Sequence, residues 1–178
     1  IECAGAENLR AHRVVVGIGR SGNFRKLGVP GEELDKVSNR LHDPKDLRNK
    51  HVLVVGGGDS ALEAAIAIAS CGGFVTLSYR KKEFSRPKPE NVDALRRLSD
   101  DPWADVAVEE PSSERVTTAS GNFLKPYRRA GSIRPMMAST VKEIGDEQVV
   151  VTNDAGEDET IPNDAVFSAI GREAPLDF

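Results

Sequence analysis

A strand, a glycine-rich turn, a helix and a second strand follow one another in the middle of the chain, and this order most constrains the fold. The apolar run His51–Val55 is typical of a parallel strand that is covered on both faces. Small residues recur on one side of Ser60–Ser70, so that a helix there can lie close to a sheet. Glycines end that helix, and Val75–Tyr79 has the composition of a second strand. The pattern predicts a β-α-β unit, and with it an α/β fold built on a Rossmann-like parallel sheet with helices.

The last part of the chain has a different pattern. Order returns at Ile133–Met137, and three short stretches then alternate apolar and polar residues, at Thr140–Ile144, Gln148–Thr152 and Glu159–Ile161. The turns between them contain glycine, asparagine and aspartate, as expected for an antiparallel β-meander. We therefore expect this meander to form a crossover against the parallel sheet, in a three-layer ββα arrangement, before a last strand at Val166–Ala169.

Two similar strand ends lie near the two ends of the chain. "VVVGIGR" (14–20) and "VFSAIGR" (166–172) both stop at Ile-Gly-Arg, and they bracket the complete β-α-β unit. This similarity suggests that the middle of the chain is inserted into another domain, and that the chain is a fragment of a longer polypeptide. The expected organisation is strands at a domain junction in 1–20, a connecting segment in 21–50, a nucleotide-binding domain in 51–165, a surface insertion within it at about 99–129, and a return strand in 166–178.

The expected insertion is rich in Asp, Ser, Pro, Glu and Thr, which is typical of a long surface loop. It is either a solvated excursion or a docking loop, with Trp103, Tyr127, Arg128 and Arg129 as candidate contacts in the second case.

Composition and charge exclude several functions. With 178 residues, a formal net charge of −4 and a pI near 5.5, the chain is unsuited to general binding of nucleic acid or anionic membranes. No apolar run approaches the roughly 18 residues of a membrane span. Cys3 and Cys71 lie far apart and indicate a reducing, cytoplasmic setting, although the sequence leaves a disulfide between them open. The three histidines have no partners at metal-ligand spacing, so no metal site is expected.

The glycine-rich turn has the spacing of a dinucleotide-binding site, Gly56-x-Gly58-x-x-Ala61. Gly56 permits the tight turn, Gly58 lets a pyrophosphate approach the backbone, and Ala61 keeps the helix near the strand. The N–H groups of residues 59, 60 and 61 and the positive end of the helix dipole would then face the phosphates. The alternative is a glycine-rich turn without a ligand. The candidate pyrophosphate-binding residues are Gly56, Gly57, Gly58, Asp59, Ser60 and Ala61.

Basic residues stand where a nucleotide-binding unit specific for NADH carries an acidic residue. Tyr79 ends the second strand and is followed by Arg80 and Lys81, with Arg86 a short turn further on. A carboxylate here would accept hydrogen bonds from the ribose 2′-OH, whereas a guanidinium group suits a 2′-phosphate. Arg80 could bind that phosphate through two parallel hydrogen bonds while Lys81 adds a point charge. The cluster predicts NADPH as the cofactor, with NADH less favoured, unless it is only a solvated strand end.

One acidic residue completes the candidate site. Glu63 lies one turn into the helix, where it either complements the helix dipole or contacts the nicotinamide end of the cofactor. The sequence has no nucleophile elbow, carboxylate dyad or thiol pair, so no catalytic residue is assigned. The chain is therefore expected to bind a reductant without containing the group that receives the hydride.

Four segments together resemble the pyridine-nucleotide domain of flavoproteins with two dinucleotide-binding domains, a fold of the FAD/NAD(P)-binding-domain type. They are "GRSGNFRKLGVPGEE", "VLVVGGGDSALEAA", "SYRKKEFSR" and "NDAVFSAIGRE". They are most similar to thioredoxin reductase-like pyridine nucleotide-disulfide oxidoreductases, including the bacilliredoxin reductase type. In that family an FAD domain is interrupted by an NADPH domain. The resemblance implies an enzyme part that delivers hydride from NADPH to FAD, with FAD held by the missing part of the chain.

The resemblance also implies roles for individual residues. Arg80 and Lys81 match the family's basic pair for the 2′-phosphate, and Glu63 matches a glutamate near the nicotinamide. Tyr79 stands where thioredoxin reductases often have histidine, and Arg86 is shifted by one from their third basic residue. A return strand that passes beside the cofactor is matched by Ile170, Gly171 and Arg172.

One departure from the family concerns the electron acceptor. Thioredoxin reductases carry Cys-x-x-Cys just before the nucleotide-binding strand, whereas "SNRLHDPKDLRNK" here contains no cysteine. This absence disfavours thioredoxin as the acceptor, which stays unidentified. The FAD fingerprint is absent too, so the fragment alone is expected to be inactive and to hold FAD poorly.

Two alternatives remain open from the sequence. One is the NADPH domain of a flavin monooxygenase, and the other is a non-catalytic NAD(P)-binding or sensing module. The expected partners are the FAD-binding remainder of the same chain and the electron acceptor, and a homodimer is compatible with the sequence.

Overall fold

The computed structural model describes residues 12, 24–106 and 125–173. The two strands expected in 1–20 and the middle of the expected insertion, 107–124, lie outside these residues. Within the described ranges the chain forms eight strands, two α-helices and two short 3-10 helices. The strands are β1 (Val37–Ser38), β2 (His51–Val55), β3 (Phe74–Tyr79), β4 (Ser132–Met137), β5 (Thr140–Ile144), β6 (Gln148–Thr152), β7 (Asp158–Pro162) and β8 (Ala165–Ser168). The α-helices are α1 (Asp59–Ser70) and α2 (Pro89–Asp100), and the 3-10 helices are Pro44–Leu47 and Lys125–Tyr127.

The strands form two sheets. Five of them, in the order β1-β8-β2-β3-β4, make a sheet in which every neighbouring pair is parallel. The other three, β5-β6-β7, form an antiparallel meander. The predicted parallel sheet and the predicted meander are therefore both confirmed. The strand β8 lies inside the parallel sheet, between β1 and β2, so the expected return strand pairs directly with the strand that precedes the glycine turn.

The parallel sheet is covered on both faces, which explains the unbroken apolar run of β2. Val52 and Val54 point to the face that is covered by the helices, where they join Leu62, Leu95 and Leu98 in one core. Leu53 and Val55 point to the opposite face and contact the apolar side of the meander, including Val149, Val151 and Ile161. Because side chains of a strand alternate between faces, one apolar run supplies both cores. The three-layer ββα arrangement is thus confirmed, with the parallel sheet in the middle.

Helix α1 is buried along almost its whole length. Its alanines are all buried, and α2 covers it through Leu95 and Leu98. The helix ends where predicted, because Gly72 adopts a left-handed conformation with φ +93° and the Gly73 N–H donates to the Ile68 carbonyl at 3.0 Å. Neither described helix is both long and apolar enough to cross a bilayer.

Polar contacts join the meander to the parallel sheet. Arg134 of β4 forms a two-bond ion pair with Glu159 of β7, at 2.5 and 2.8 Å. The half-buried Lys36 ammonium donates to the carbonyls of Asp146 and Asn163 at 2.9 and 3.0 Å, and burial lowers its pKa. These contacts fix the meander beside the strands whose ends carry the candidate site.

Candidate functional site

Three groups of residues named from the sequence come together at one edge of the parallel sheet. The last residue of β2, Val55, pairs with Ser78 of β3 and with Ser168 of β8. The glycine turn, the basic segment and residues 170–172 follow these strands directly. The carboxyl edge of a parallel sheet is where α/β proteins bind their ligands.

Gly56 and Gly57 are glycines because the protein leaves no room for a side chain. Gly56 has a φ of +144°, and a Cβ there would lie 2.6 Å from the carbonyl oxygen of Ala169, which follows β8. A Cβ on Gly57 would lie 2.1 Å from the ring of Tyr79. Ala61 is also needed for packing, since its Cβ lies 3.2 Å from the Cβ position of Gly56. These residues are explained by the fold itself.

Gly58 is different, because nothing in the described chain would obstruct a side chain there. It has an ordinary φ of −112°, and a Cβ would find no protein atom within 4 Å. It is also the N-cap of α1, where no side chain caps the helix. The missing Cβ leaves open space beside the start of a helix, as a phosphate group approaching the backbone requires.

The N–H groups beside this space differ from the expectation in one respect. Ala61 donates its N–H to the Gly58 carbonyl at 3.0 Å, inside the first turn of α1. The N–H groups of Asp59 and Ser60 have no acceptor in the part of the chain that the structure describes. Two free donors and the positive end of the helix dipole therefore fit a pyrophosphate at this turn.

The side chain of Tyr79 packs against the glycine turn at Gly57. Its side chain is 7% exposed, and its ring stacks on Phe84 with centroids 5.4 Å apart and planes 8° from parallel. Its hydroxyl is buried and has no hydrogen-bond partner among the described residues. The ring of Tyr79, the last residue of β3, thus fills the space that Gly57 leaves free. This contact packs the start of the basic segment against the glycine turn.

The basic side chains that follow Tyr79 are exposed. Arg80, Lys81 and Arg86 form no ion pair with any residue that the structure describes, whereas Lys82 pairs with Asp154 at 3.2 Å. The main chain beneath them is fixed by the turn between β4 and β5. There the Ser139 N–H donates to the Tyr79 carbonyl at 3.0 Å, and the Ala138 N–H donates to the Lys81 carbonyl at 2.9 Å. The backbone that carries Arg80 and Lys81 is thus held in place next to the glycine turn.

The carboxylates of Asp59 and Glu63 contact helix α2. Asp59 Oδ1 accepts hydrogen bonds from the Lys88 N–H at 2.7 Å and from the Asn91 amide at 2.8 Å. The same amide donates to Glu63 Oε1 at 3.1 Å. The sequence reasoning named Asp59 only for its N–H group and missed Asn91. Asn91 carries no local signal in the sequence, because its partners Asp59 and Glu63 lie 32 and 28 residues earlier in the chain.

Residues 170–172 leave the same edge of the sheet. Ile170 packs into the core on the meander side, and the Gly171 carbonyl accepts a hydrogen bond from the Arg25 N–H at 3.1 Å. The Arg172 guanidinium lies 4.4 Å from the centroid of the Phe24 ring, and the two residues form an antiparallel bridge. Phe24, at the start of the range 24–106, and Arg172, near the end of the range 125–173, thus lie side by side.

In the residues that the structure describes, no group of three or more His, Cys, Asp or Glu side chains could hold a metal ion.

Two curated reductases are similar to this chain in sequence. Bacilliredoxin reductase Bdr of Bacillus subtilis is 30% identical over 145 residues, which are 82% of this chain and 36% of that protein. A ferredoxin–NADP reductase of Ignicoccus hospitalis is 36% identical over 74 residues, which are 42% of this chain and 24% of that protein. The chain therefore spans well under half the length of these curated relatives.

Solved structures show the same fold. The bacillithiol disulfide reductase Bdr of Bacillus cereus is 28% identical with a TM-score of 0.67, over 88% of this chain and 39% of that one. The thioredoxin reductase of Lactococcus lactis is 27% identical with a TM-score of 0.59, over 84% of this chain and 42% of that one. The predicted FAD/NAD(P)-binding-domain type of fold and the resemblance to thioredoxin reductase-like and bacilliredoxin reductase-like proteins are confirmed. Since the family model of the pyridine nucleotide-disulphide oxidoreductases matches residues 1–178, the chain belongs to that family of flavoprotein-related reductases.

Proposed function

We propose that this chain is the NADPH-binding part of an FAD-dependent oxidoreductase. It would deliver hydride from NADPH to a flavin held by a part of the protein outside this chain. Membership of the family and the kinship with named reductases support an oxidoreductase. The observation that carries the proposal is the combination of an open helix start at Gly58 with three unpaired cations directly after β3.

The cations favour a phosphorylated ribose. In this fold, an NADH-specific site places a carboxylate after the second strand, because a carboxylate accepts hydrogen bonds from the 2′-OH. Arg80 occupies that place here, followed by Lys81, and a 2′-phosphate carries close to two negative charges that both can bind. Arg86, another exposed cation in the segment between β3 and α2, is a third candidate ligand.

The chain's own contribution would be binding and orientation. The N–H groups of Asp59 and Ser60 would bind the pyrophosphate, and Arg80 and Lys81 the 2′-phosphate, so that the dinucleotide is held at two points. Glu63, on the first turns of α1, would lie towards the nicotinamide end. NADPH supplies the reducing equivalents when bound, and the described residues position it.

The rest of the catalytic system lies elsewhere in this proposal. Because this chain matches only 36% and 39% of the length of the two Bdr proteins, we expect it alone to bind the nucleotide without turning it over. The FAD-binding remainder of the protein and an electron acceptor would complete the path of electron transfer from NADPH. A homodimer of the full protein is compatible with this proposal. The low cysteine content agrees with a reducing compartment, which makes the cytoplasm the expected location.

The cofactor preference can be tested by reversing one charge. Isothermal titration calorimetry on this chain should show tighter binding of NADPH than of NADH. Arg80→Glu should weaken NADPH binding by roughly 10- to 100-fold, the value of a lost charged hydrogen bond plus repulsion. It should also reverse the order of the two affinities, because a carboxylate there accepts a hydrogen bond from the 2′-OH of NADH.

A matched control is available at the opposite edge of the sheet. Lys50→Glu makes the same change in charge immediately before β2. The five residues of β2, at 3.3 Å each, separate Lys50 from the glycine turn by about 17 Å. At physiological ionic strength the screening length is about 8 Å, so this variant should bind NADPH like the unchanged chain. Equal binding of NADPH and NADH by the unchanged chain would refute the proposed cofactor.

A further inference from the structure

The segment with the three cations is anchored at both ends, and the far anchor is made by side chains of the two helices. The Lys81 carbonyl accepts from the Ala138 N–H at the near end. At the far end, the Lys88 N–H donates to Asp59 Oδ1 at 2.7 Å, and the Asn91 amide donates to the same oxygen at 2.8 Å. One carboxylate oxygen of Asp59, at the start of α1, thus accepts two hydrogen bonds from the start of α2.

Between these anchors the segment has little support of its own. Residues 82–87 form no backbone hydrogen bond with the part of the chain that the structure describes. Their contacts are made by side chains, the Phe84 ring on Tyr79 and the Lys82 ammonium with Asp154. Arg86 lies after both of these contacts and two residues before Lys88, so its main chain depends on the far anchor.

From these contacts we propose that Asn91 is a positioning residue for recognition of the 2′-phosphate, and that it acts through Arg86. The inference rests on the proposed function, because it concerns the same nucleotide site. The Asn91 amide holds Asp59 in the orientation that accepts the Lys88 N–H, and it also binds Glu63 at 3.1 Å. This arrangement ties the segment that carries Arg86 to the helix that would bind the pyrophosphate.

The physical basis is the entropy of the segment. Ordering a free main-chain segment costs conformational entropy, and a segment that is ordered before binding does not add this cost to the binding free energy. Asn91→Ala removes the shared donor without changing the charge of the protein. Any loss that is specific to the 2′-phosphate would therefore reflect positioning and not electrostatics.

The test compares NADP⁺ with NAD⁺, which differ by the 2′-phosphate alone. Calorimetry should show that Asn91→Ala weakens NADP⁺ binding about tenfold and leaves NAD⁺ binding unchanged. In an Arg86→Ala background, Asn91→Ala should have no further effect on NADP⁺. Asp93→Ala, an exposed change on the same helix, serves as the control and should leave both affinities unchanged.

A second pair of variants isolates one hydrogen bond if Asn91→Ala unfolds the chain. Lys88 has φ −61° and ψ 142°, which proline adopts without strain. Lys88→Pro removes the N–H that Asp59 accepts, whereas Lys88→Ala keeps that N–H and removes the same side chain. The proline variant should bind NADP⁺ several-fold more weakly than the alanine variant, with equal binding of NAD⁺.

The outcomes distinguish a failure of the proposed role of Asn91 from a failure of the proposed function. If the unchanged chain binds NADP⁺ and NAD⁺ equally, the proposed function itself is wrong. If the unchanged chain prefers NADP⁺ and both Asn91→Ala and Lys88→Pro keep that preference, the positioning role is wrong while the proposed function stands. A loss of equal size for both nucleotides, or one that persists in the Arg86→Ala background, would also overturn the role of Asn91.

Discussion

Substitution of Gly58 by alanine distinguishes what the fold requires from what a nucleotide requires. The backbone at Gly58 has φ −112° and ψ 176°, which alanine adopts freely, and the new Cβ would meet no protein atom within 4 Å. Loss of glycine stabilises the folded state by about 0.4–1 kcal/mol through the unfolded chain. Alanine is a poorer N-cap than glycine, with a cost of similar size. The free energy of unfolding should therefore change by less than about 1 kcal/mol.

Nucleotide binding should respond very differently. The methyl group would occupy the space through which a pyrophosphate reaches the N–H groups of Asp59 and Ser60. Each lost hydrogen bond to a charged group is worth about 1.5–3 kcal/mol, so NADPH affinity should fall at least tenfold if one bond is lost and at least roughly 100-fold if both are lost. Urea unfolding measures the stability, and calorimetry with NADPH measures the affinity.

Gly57→Ala is the matched control in the same turn. Its Cβ would lie 2.1 Å from the ring of Tyr79, which is buried and stacked on Phe84, so the ring must move. Overpacking of this kind costs about 1–3 kcal/mol, and Gly57→Ala should therefore be clearly less stable than Gly58→Ala. Unchanged NADPH affinity in Gly58→Ala would refute the assignment of the open space to a phosphate. Destabilisation equal to that of Gly57→Ala would refute the structural reasoning.

Two further predictions concern stability and reactivity. The hydrogen bond from Arg134 lowers the pKa of Glu159 below its ordinary 4.5, so the ion pair stabilises the fold above that pH and is lost as the pH falls through the folded-state pKa. Glu159→Gln should reduce the unfolding free energy near pH 7 by at most about 1 kcal/mol, because the pair is exposed, and urea titrations should show the difference vanishing in acid. Burial raises the pKa of the Cys71 thiol, so iodoacetamide should label it only after denaturation, and peptide mapping that finds Cys71 labelled in the native chain would contradict its burial.

The sequence predicted the parts of the fold whose signals are local. The apolar run of β2, the small residues of α1 and the glycines after it appear in the structure within a residue or two of their expected bounds. The strand β1 was missed, because Val37 and Ser38 gain their structure by pairing with β8, more than a hundred residues later. Its two residues carry no periodic pattern for a sequence reading to detect.

In the candidate site, too, the sequence predicted the features that depend on local residues and missed those that depend on contacts between elements. The glycine spacing predicted the turn at Gly56 and the open approach at Gly58, because these follow from backbone geometry. The reason for Gly57 was not predictable, since the ring of Tyr79 reaches it from the next strand. Asn91 was missed for a similar reason, as its partner Asp59 lies 32 residues earlier in the chain. Contacts between elements appear only when the elements are packed.

Charge placement around β3 gives the strongest physical reason to expect an anionic ligand. Acidic residues outnumber Lys and Arg in this chain, 28 to 24, so carboxylates are not scarce. Lys82, in the segment after β3, pairs with Asp154, and Arg134, on the strand β4 next to β3, pairs with Glu159 of the meander. Arg80, Lys81 and Arg86 nevertheless have no acidic partner among the described residues, although neighbouring cations repel one another. Neither packing nor pairing explains these three side chains, whereas a phosphate ester beside the glycine turn would neutralise them.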